Sequence, residues 1–322
     1  MASAPAVPAA TWPEPCSEGW SDEGLCALRD SLAATRGSTA LMIVEDGRPV
    51  MCWGDAAQKS SVASVRKSLI SLLYGIHVDS GAIRLSASLA ELGIDDRQGL
   101  TDLERQATVA DLLRARSGVY HPSVYDTFHD RPARGCHAPG SFWFYNNWDF
   151  NVLATIFERQ TGRDLFAAFA RDLAGPLQFQ DFTADDGWFQ HGEESDHPVY
   201  KFRLSARDLA RIGLLALRGG QWGSRRIVSE DWMRESTAPH SDLGGGRGYG
   251  YLWWTAEAQA PGDALSCAQR LFYASGLGGQ YVIVIPALSL VVVHRAARVD
   301  DGIHHGQMGR ILRLVLAARP AR

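Results

Sequence analysis

The chain has 322 residues and a formal net charge of −4. That length can bury a large core, as one domain or as two lobes. No basic run or stripe is present, which excludes nucleic acid as an expected partner. No apolar run is long enough to span a bilayer, and the longest, 281–293, is broken by Pro286 and reads as two strands, so no membrane partner is expected.

Residues 1–15 are rich in Ala and Pro and have no Lys or Arg ahead of their small apolar stretch. They do not read as a secretory signal; 1–20 is expected to be a loose arm. A helix over 22–34 has Leu25, Leu28 and Leu32 on one side. Strands at 39–45 and 49–53 flank the turn signal Asp46-Gly47. Ser64-Val65-Arg66-Lys67 then opens a helix to about residue 79, with Val65, Leu69, Leu72, Leu73 and Ile76 on the buried face and Ser64, Lys67, Ser68 and Ser71 on another. Residues 85–115 read as short helical pieces ending at Ser117-Gly118. The 120–140 loop is long and aromatic, which points to function rather than disorder.

Helices follow at 147–161 and 164–173, then an irregular acidic stretch at 181–200. The helix at 205–217 opens on Ser205 and Asp208, a capping-box pattern with Asp in place of Glu. A turn covers 219–225 and a helix 229–236. The last third changes character: 248–254 alternates aromatic and small residues as one strand would, three more strands cover 270–275, 279–285 and 288–294, and a helix closes at 303–318. Short links between these strands predict an antiparallel sheet.

Three short patterns carry chemistry. Ser64 and Lys67 lie three apart, so they share a helix face. Serine needs a neighbouring base to become a nucleophile, and lysine is a base only when burial or nearby positive charge keeps its amine neutral. Of 32 Lys and Arg residues only Lys59, Lys67 and Lys201 are lysines. Arginine cannot lose its proton, so a lysine retained here is consistent with a need for a neutral amine. The same residues also fit a helix-face serine beside a snorkelling lysine. Tyr145 and Asn147 lie in a loop that leads into a helix; they can aim together into a cleft, with the Tyr145 hydroxyl a proton carrier if nearby cations lower its pKa, or form an aromatic cluster with Asn147 as helix cap. Ala274-Ser275-Gly276-Leu277-Gly278-Gly279 ends a strand with small residues that let a substrate lie along its edge; it also reads as a glycine-rich turn.

Taken in order, Ser-x-x-Lys, Tyr-x-Asn and a small Ser-Gly motif on a late strand resemble the serine β-lactamase and penicillin-binding-protein superfamily, in its class C β-lactamase-related branch with esterases and the 6-aminohexanoate-dimer hydrolase. The segments 112–118, 205–213, 219–222 and 249–254 resemble family segments too, and the likeness spans about residues 39–293. The resemblance implies an α+β fold: an antiparallel sheet flanked by N- and C-terminal helices, built from 21–84 and 205–322, with an all-helical lobe inserted at 85–204. It implies Ser64 as nucleophile, Lys67 as its base, Tyr145 as proton carrier, and the backbone N–H groups of Ser64 and Leu277 as an oxyanion hole. Asn147, Ser275 and Gly276 would bind substrate. No cofactor is implied.

One position departs from the pattern. Where the family's third motif usually begins with Lys or His, this chain has Ala274. Losing that cation weakens attraction for a substrate carboxylate, which turns the expectation from β-lactams toward an uncharged small-molecule ester or amide. Arg134, Arg247 and His305 are candidates to replace the charge. Tyr120, Tyr125, Phe128, Trp143, Trp148, Trp188 and Trp254 are candidate pocket walls. The loop histidines His121, His129, His137, His191 and His197 form no Ser-His-Asp pattern, and Gly-x-Ser-x-Gly is absent, which argues against an α/β-hydrolase. The five scattered cysteines, Cys16, Cys26, Cys52, Cys136 and Cys267, include no C-x-x-C, so reduced thiols in the cytoplasm and no metal site are expected. The expected function is therefore a cytoplasmic serine hydrolase of the esterase or amidase type. Its alternatives are an acyltransferase or cyclase on the same scaffold, and a non-catalytic binding or sensor protein.

Overall fold

The structure, a computed structural model, describes residues 10–126, 130–297 and 302–320. Residues 1–9 of the expected arm, Phe128 and His129 lie outside the described residues. The late strands are apolar on both sides, and this puts them at the centre of a sheet covered on both faces. Tyr281, Ile283, Ile285 and Val292 face one core, shared with the helices Asp22–Ala34 and His305–Ala318; Val282, Val284, Val291 and Val293 face the other, shared with Val65–Asp79 and Ala206–Leu217. The sheet has eight antiparallel strands in the order Arg48–Gly54, Ser38–Glu45, Leu290–Ala296, Gln280–Ile285, Leu271–Gly276, Trp254–Ala256, Arg247–Tyr249, Ser241–Asp242. The fold is α+β with an antiparallel sheet, as the resemblance implied. Among the described residues no helix is long and apolar enough to cross a membrane.

The structure corrects four local expectations. The aromatic run 248–254 is two strands, not one: Arg247–Tyr249 turns back into Trp254–Ala256. The turn is forced at Gly250, where a Cβ would sit 2.2 Å from the Ser236 carbonyl oxygen, and at Leu252, whose φ is +64°. Ser205 caps its helix by accepting from the Asp208 N–H at 3.1 Å, but no capping box closes. The Asp208 carboxylate instead accepts from the backbone N–H groups of Gln180, Asp181 and Phe182. The stretch 181–200 holds the strand Gly187–Gln190, which pairs with Val199–Leu204, and that strand pairs with Ser60–Ser61; the region expected to be all-helical therefore includes strands. Finally, the arm is anchored from residue 10 onward: Trp12 Nε1 donates to the Arg207 carbonyl (3.0 Å), and buried Trp20 donates to Glu45 (2.8 Å).

Asn147–Thr161 is the central helix of the remaining part, and the fully buried Trp148 ties it down by donating Nε1 to Asp96 Oδ2 at 2.6 Å.

Candidate active site

Ser64 sits at the N-terminus of Val65–Asp79, directly after Ala63, whose φ of +46° turns the chain sharply. The approach is held by Arg295, a buried guanidinium that donates to the carbonyls of Ser60 (2.7 Å), Ser61 (3.1 Å) and Leu204 (3.1 Å). Serine at this position usually caps its helix. Here the Ser64 hydroxyl makes no cap bond and faces Lys67. Lys67 Nζ lies 2.8 Å from Ser64 Oγ and 2.8 Å from Tyr145 OH.

Lys67 is 2% exposed and, among the described residues, forms no ion pair. Burial, with the charge of Arg66 beside it, pushes its pKa well below the ordinary lysine value. The rings of Tyr145 and Phe150, 4.4 and 4.7 Å from Nζ, oppose this by favouring the ammonium. A cation over a ring gains about 0.5–2 kcal/mol, on the order of one pKa unit, whereas full burial moves an amine by up to about 3–5 units. Burial wins, and the amine is held toward its neutral form. Tyr145 moves the opposite way from the lowered pKa considered for it: burial pushes it up to about 12, against a hydrogen bond from Ser64 and the Arg66 charge. It is therefore a phenol at neutral pH. Its ring stacks on Trp254, with centroids 5.5 Å apart.

The Tyr145 loop is fixed by its neighbours. Phe144 N–H donates to the Ala115 carbonyl at 3.0 Å. Ser117 donates to Asp149 at 2.6 Å, and Asn146 donates to the same oxygen at 2.8 Å. The helix cap is Asn146, whose Oδ1 accepts from the Trp148 N–H, not Asn147. Asn147 lines the cleft instead, donating Nδ2 to the Tyr125 carbonyl at 3.1 Å.

On the other side, Gly276 ends the strand Leu271–Gly276 against the nucleophile. A Cβ there would stand 2.5 Å from the Val62 carbonyl oxygen and 3.0 Å from Ser64 N, so only glycine lets the strand edge come this close. Among the described residues, neither Ser64 N–H nor Leu277 N–H is used in a backbone hydrogen bond. The first also lies at a helix N-terminus, where the dipole favours negative charge.

The cleft these elements enclose holds about 930 Å³. Of the expected wall residues, Tyr125, Trp143 and Trp254 line it, together with Tyr145, Asn147, Ser275, Gly276 and Leu277. Tyr120 does not: it is buried edge-on behind Phe144, with its hydroxyl 3.1 Å from His137 Nδ1. Trp148 belongs to the core and Trp188 to an exposed strand. Ala274 is buried, with its side chain in the core shared with Val65–Asp79. Arg134 is engaged by Glu104 and does not line the cleft, and Arg247 lies over Trp254 beside Asp263. His305 does line the cleft, with both ring nitrogens engaged. Sequence reasoning missed Arg66, Tyr281 and Asp263. Arg66 stood inside the Ser-x-x-Lys motif; the other two carried no motif signal.

A family model described as Beta-lactamase matches residues 28–302. The chain belongs to the beta-lactamase family. Solved structures agree on the beta-lactamase family fold. A penicillin-binding protein homologue from Pyrococcus abyssi, described as octameric, superposes with a TM-score of 0.69 at 18% identity, covering 92% of this chain and 78% of that one. A penicillin-binding protein homologue from Caulobacter crescentus gives 0.70 at 15% identity, covering 95% and 99%. EstCE1, described as a hydrolase with promiscuous acyltransferase activity, gives 0.67 at 15% identity, covering 91% and 97%.

Proposed function

We propose that this beta-lactamase family chain is a serine hydrolase of uncharged esters or amides, working through an acyl-enzyme on Ser64. The observation that carries this reading is the buried amine of Lys67, 2.8 Å from both Ser64 Oγ and Tyr145 OH and without an ion pair among the described residues. In its neutral form the amine takes the Ser64 proton as Oγ attacks the substrate carbonyl. The tetrahedral oxyanion is held by the N–H groups of Ser64 and Leu277. As the intermediate collapses, Tyr145 gives its proton to the leaving alcohol or amine and regains one from Lys67. Water then attacks the acyl-enzyme by the same route in reverse and frees Ser64.

No Lys or Arg lies among the described residues that line the cleft, which supports an uncharged acyl group. The test is a fluorophosphonate probe with mass-spectrometric mapping, alongside turnover of p-nitrophenyl butyrate. Label on Ser64, and loss of turnover in Ser64→Ala, are expected; label elsewhere or retained turnover overturns the reading. Nitrocefin, which carries a carboxylate, should be turned over slowly or not at all.

A second reading, acyl transfer to an alcohol or amine, is favoured by the aromatic walls Trp143, Tyr145 and Trp254, which can seat an apolar acceptor in place of water. Product analysis with added alcohols separates the two: hydrolysis alone with every acceptor sinks transfer.

A further inference from the structure

The two N–H groups at the oxyanion position are held in different ways. Ser64 N–H stands at the start of Val65–Asp79, a helix buried along most of its length. Leu277 N–H stands at the tip of a hairpin. The ladder between Leu271–Gly276 and Gln280–Ile285 ends where Gly276 faces Gln280, which leaves Leu277, Gly278 and Gly279 as the tip. Two of these are glycines, at φ of +84° and +99°, and the Leu277 side chain is 53% exposed. Glycine has more conformational freedom to lose than any other residue, so the tip needs a hold from outside itself.

The Leu277 N–H shares a peptide unit with the Gly276 carbonyl. That unit is planar and trans, so the N–H points opposite to the C=O. The Gly276 carbonyl accepts from the Gly279 N–H at 3.2 Å. The direction of the Leu277 N–H is therefore set by where Gly279 sits. Ile303 holds both glycines of the tip. Its N–H donates to the Gly278 carbonyl at 3.2 Å, and its side chain covers Gly279, where a Cβ would stand 2.5 Å from Ile303 Cγ1. Gly302 lies against the same tip: a Cβ on it would stand 2.0 Å from the Gly278 carbonyl oxygen.

Ile303 is fixed in turn by the helix it precedes. His304 is the N-cap of His305–Ala318, and its N–H donates to Gln307 Oε1 at 2.8 Å. Ile303 thus stands just before the cap and Met308 at the fourth helical position, and both are buried in one core. This is the spacing of a hydrophobic staple, which fixes the angle at which the chain enters a helix.

Resting on the serine-hydrolase reading, we propose that Gly302 and Ile303 are positioning residues for the oxyanion: the start of the helix His305–Ala318 clasps the hairpin tip and so holds the Leu277 N–H where the tetrahedral intermediate needs it.

The test separates oxyanion binding from substrate binding. A trifluoromethyl ketone with the propyl chain of a butyryl group matches p-nitrophenyl butyrate. Ser64 Oγ adds to its carbonyl carbon, the Ser64 proton passes to Lys67, and the carbonyl oxygen becomes the oxyanion of a reversible hemiketal. In Gly302→Ala, kcat should fall by about 10²-fold, the lower end of the loss when one oxyanion donor is removed. KM should stay close to its wild-type value, as for an interaction made only in the transition state. The inhibition constant of the ketone should rise by a similar factor to the fall in kcat. Ile303→Ala should show the same split, and Ile303→Val, which keeps a branched side chain over Gly279, should recover most of the loss. A merely structural role would shift urea unfolding without separating kcat from KM. Wild-type kcat in both alanine variants, or a fall in kcat with ketone inhibition held at wild-type strength, overturns the proposal. If Gly302→Ala does not fold, the Ile303 pair decides alone. Failure of the wild type to be labelled at Ser64 by the fluorophosphonate overturns instead the hydrolase reading beneath it.

Discussion

At the scale of the residue, Lys67 concentrates the chemistry and its cost. Arginine in its place keeps a positive charge but cannot release a proton. Lys67→Arg should therefore lower kcat by about 10³-fold, the usual reach of a positioned general base, measured on p-nitrophenyl butyrate. In the wild type, kcat/KM should fall on the acid side as Lys67 takes up a proton, with a midpoint well below the ordinary value of 10.5. Tyr145 ionises only near 12, so a pH–rate profile should show no alkaline limb from it below that region.

The same displacement has a thermodynamic sign. Between the folded-state pKa of Lys67 and 10.5 the unfolded chain holds a proton that the folded chain lacks. Stability therefore rises with pH across that window, and at neutral pH the buried amine is a liability. Lys67→Met should raise unfolding stability by about 1 kcal/mol while abolishing turnover, the trade-off expected where a site is strained for function. Urea unfolding at neutral pH checks this, and a less stable variant would mean that the Ser64 and Tyr145 contacts outweigh the burial penalty.

At the scale of the element, catalysis needs a strand end pressed against a helix start. Gly276 allows that approach, since a Cβ would meet Val62 and Ser64 backbone at 2.5 and 3.0 Å. Gly276→Ala should displace the strand by a few tenths of an ångström or more and misplace the Leu277 N–H. A loss of about 10²-fold in kcat is expected from such misplacement, with a far smaller fractional change in KM; steady-state kinetics on one ester decide it. The helix Val65–Asp79 was legible in the sequence because its apolar positions recur at helical spacing. The run 248–254 was misread because alternation of aromatic and small residues fits a strand, and nothing local in it reports the contact with Ser236 that folds it back.

At the scale of the whole molecule, distant segments are joined through buried polar groups. Asp96 accepts from Trp148 Nε1 (2.6 Å), Ser195 Oγ (2.6 Å) and the Asp196 N–H (2.8 Å), linking segments 52 to 100 residues apart. Burial raises its pKa, but these bonds outweigh burial and hold it below 3.8. Its contribution is complete above that value and is lost as pH falls through the lower folded-state value. Asp96→Asn should destabilise by about 2 kcal/mol at neutral pH, the range for hydrogen bonds to a charged group. Urea denaturation should show the gap from wild type narrowing below about pH 4; a gap independent of pH would assign the loss to packing instead.

The candidate site divides in the same way. Sequence by itself determined the elements whose signals are local: the leucine face of the first helix, the apolar late strands, and the i, i+3 pair of Ser64 and Lys67, which helix geometry alone brings together. Tertiary structure decided everything that depends on what a side chain is buried against. It surrounded Lys67 with Tyr145, Phe150 and Arg66 rather than a carboxylate, gave the helix cap to Asn146 so that Asn147 faces the cleft, and carried Tyr120 out of the site. It also joined Asp263, His305 and Tyr281 from a loop, a helix and a strand. Desolvation and hydrogen-bond direction are properties of an enclosed space, and no spacing along the chain encodes them.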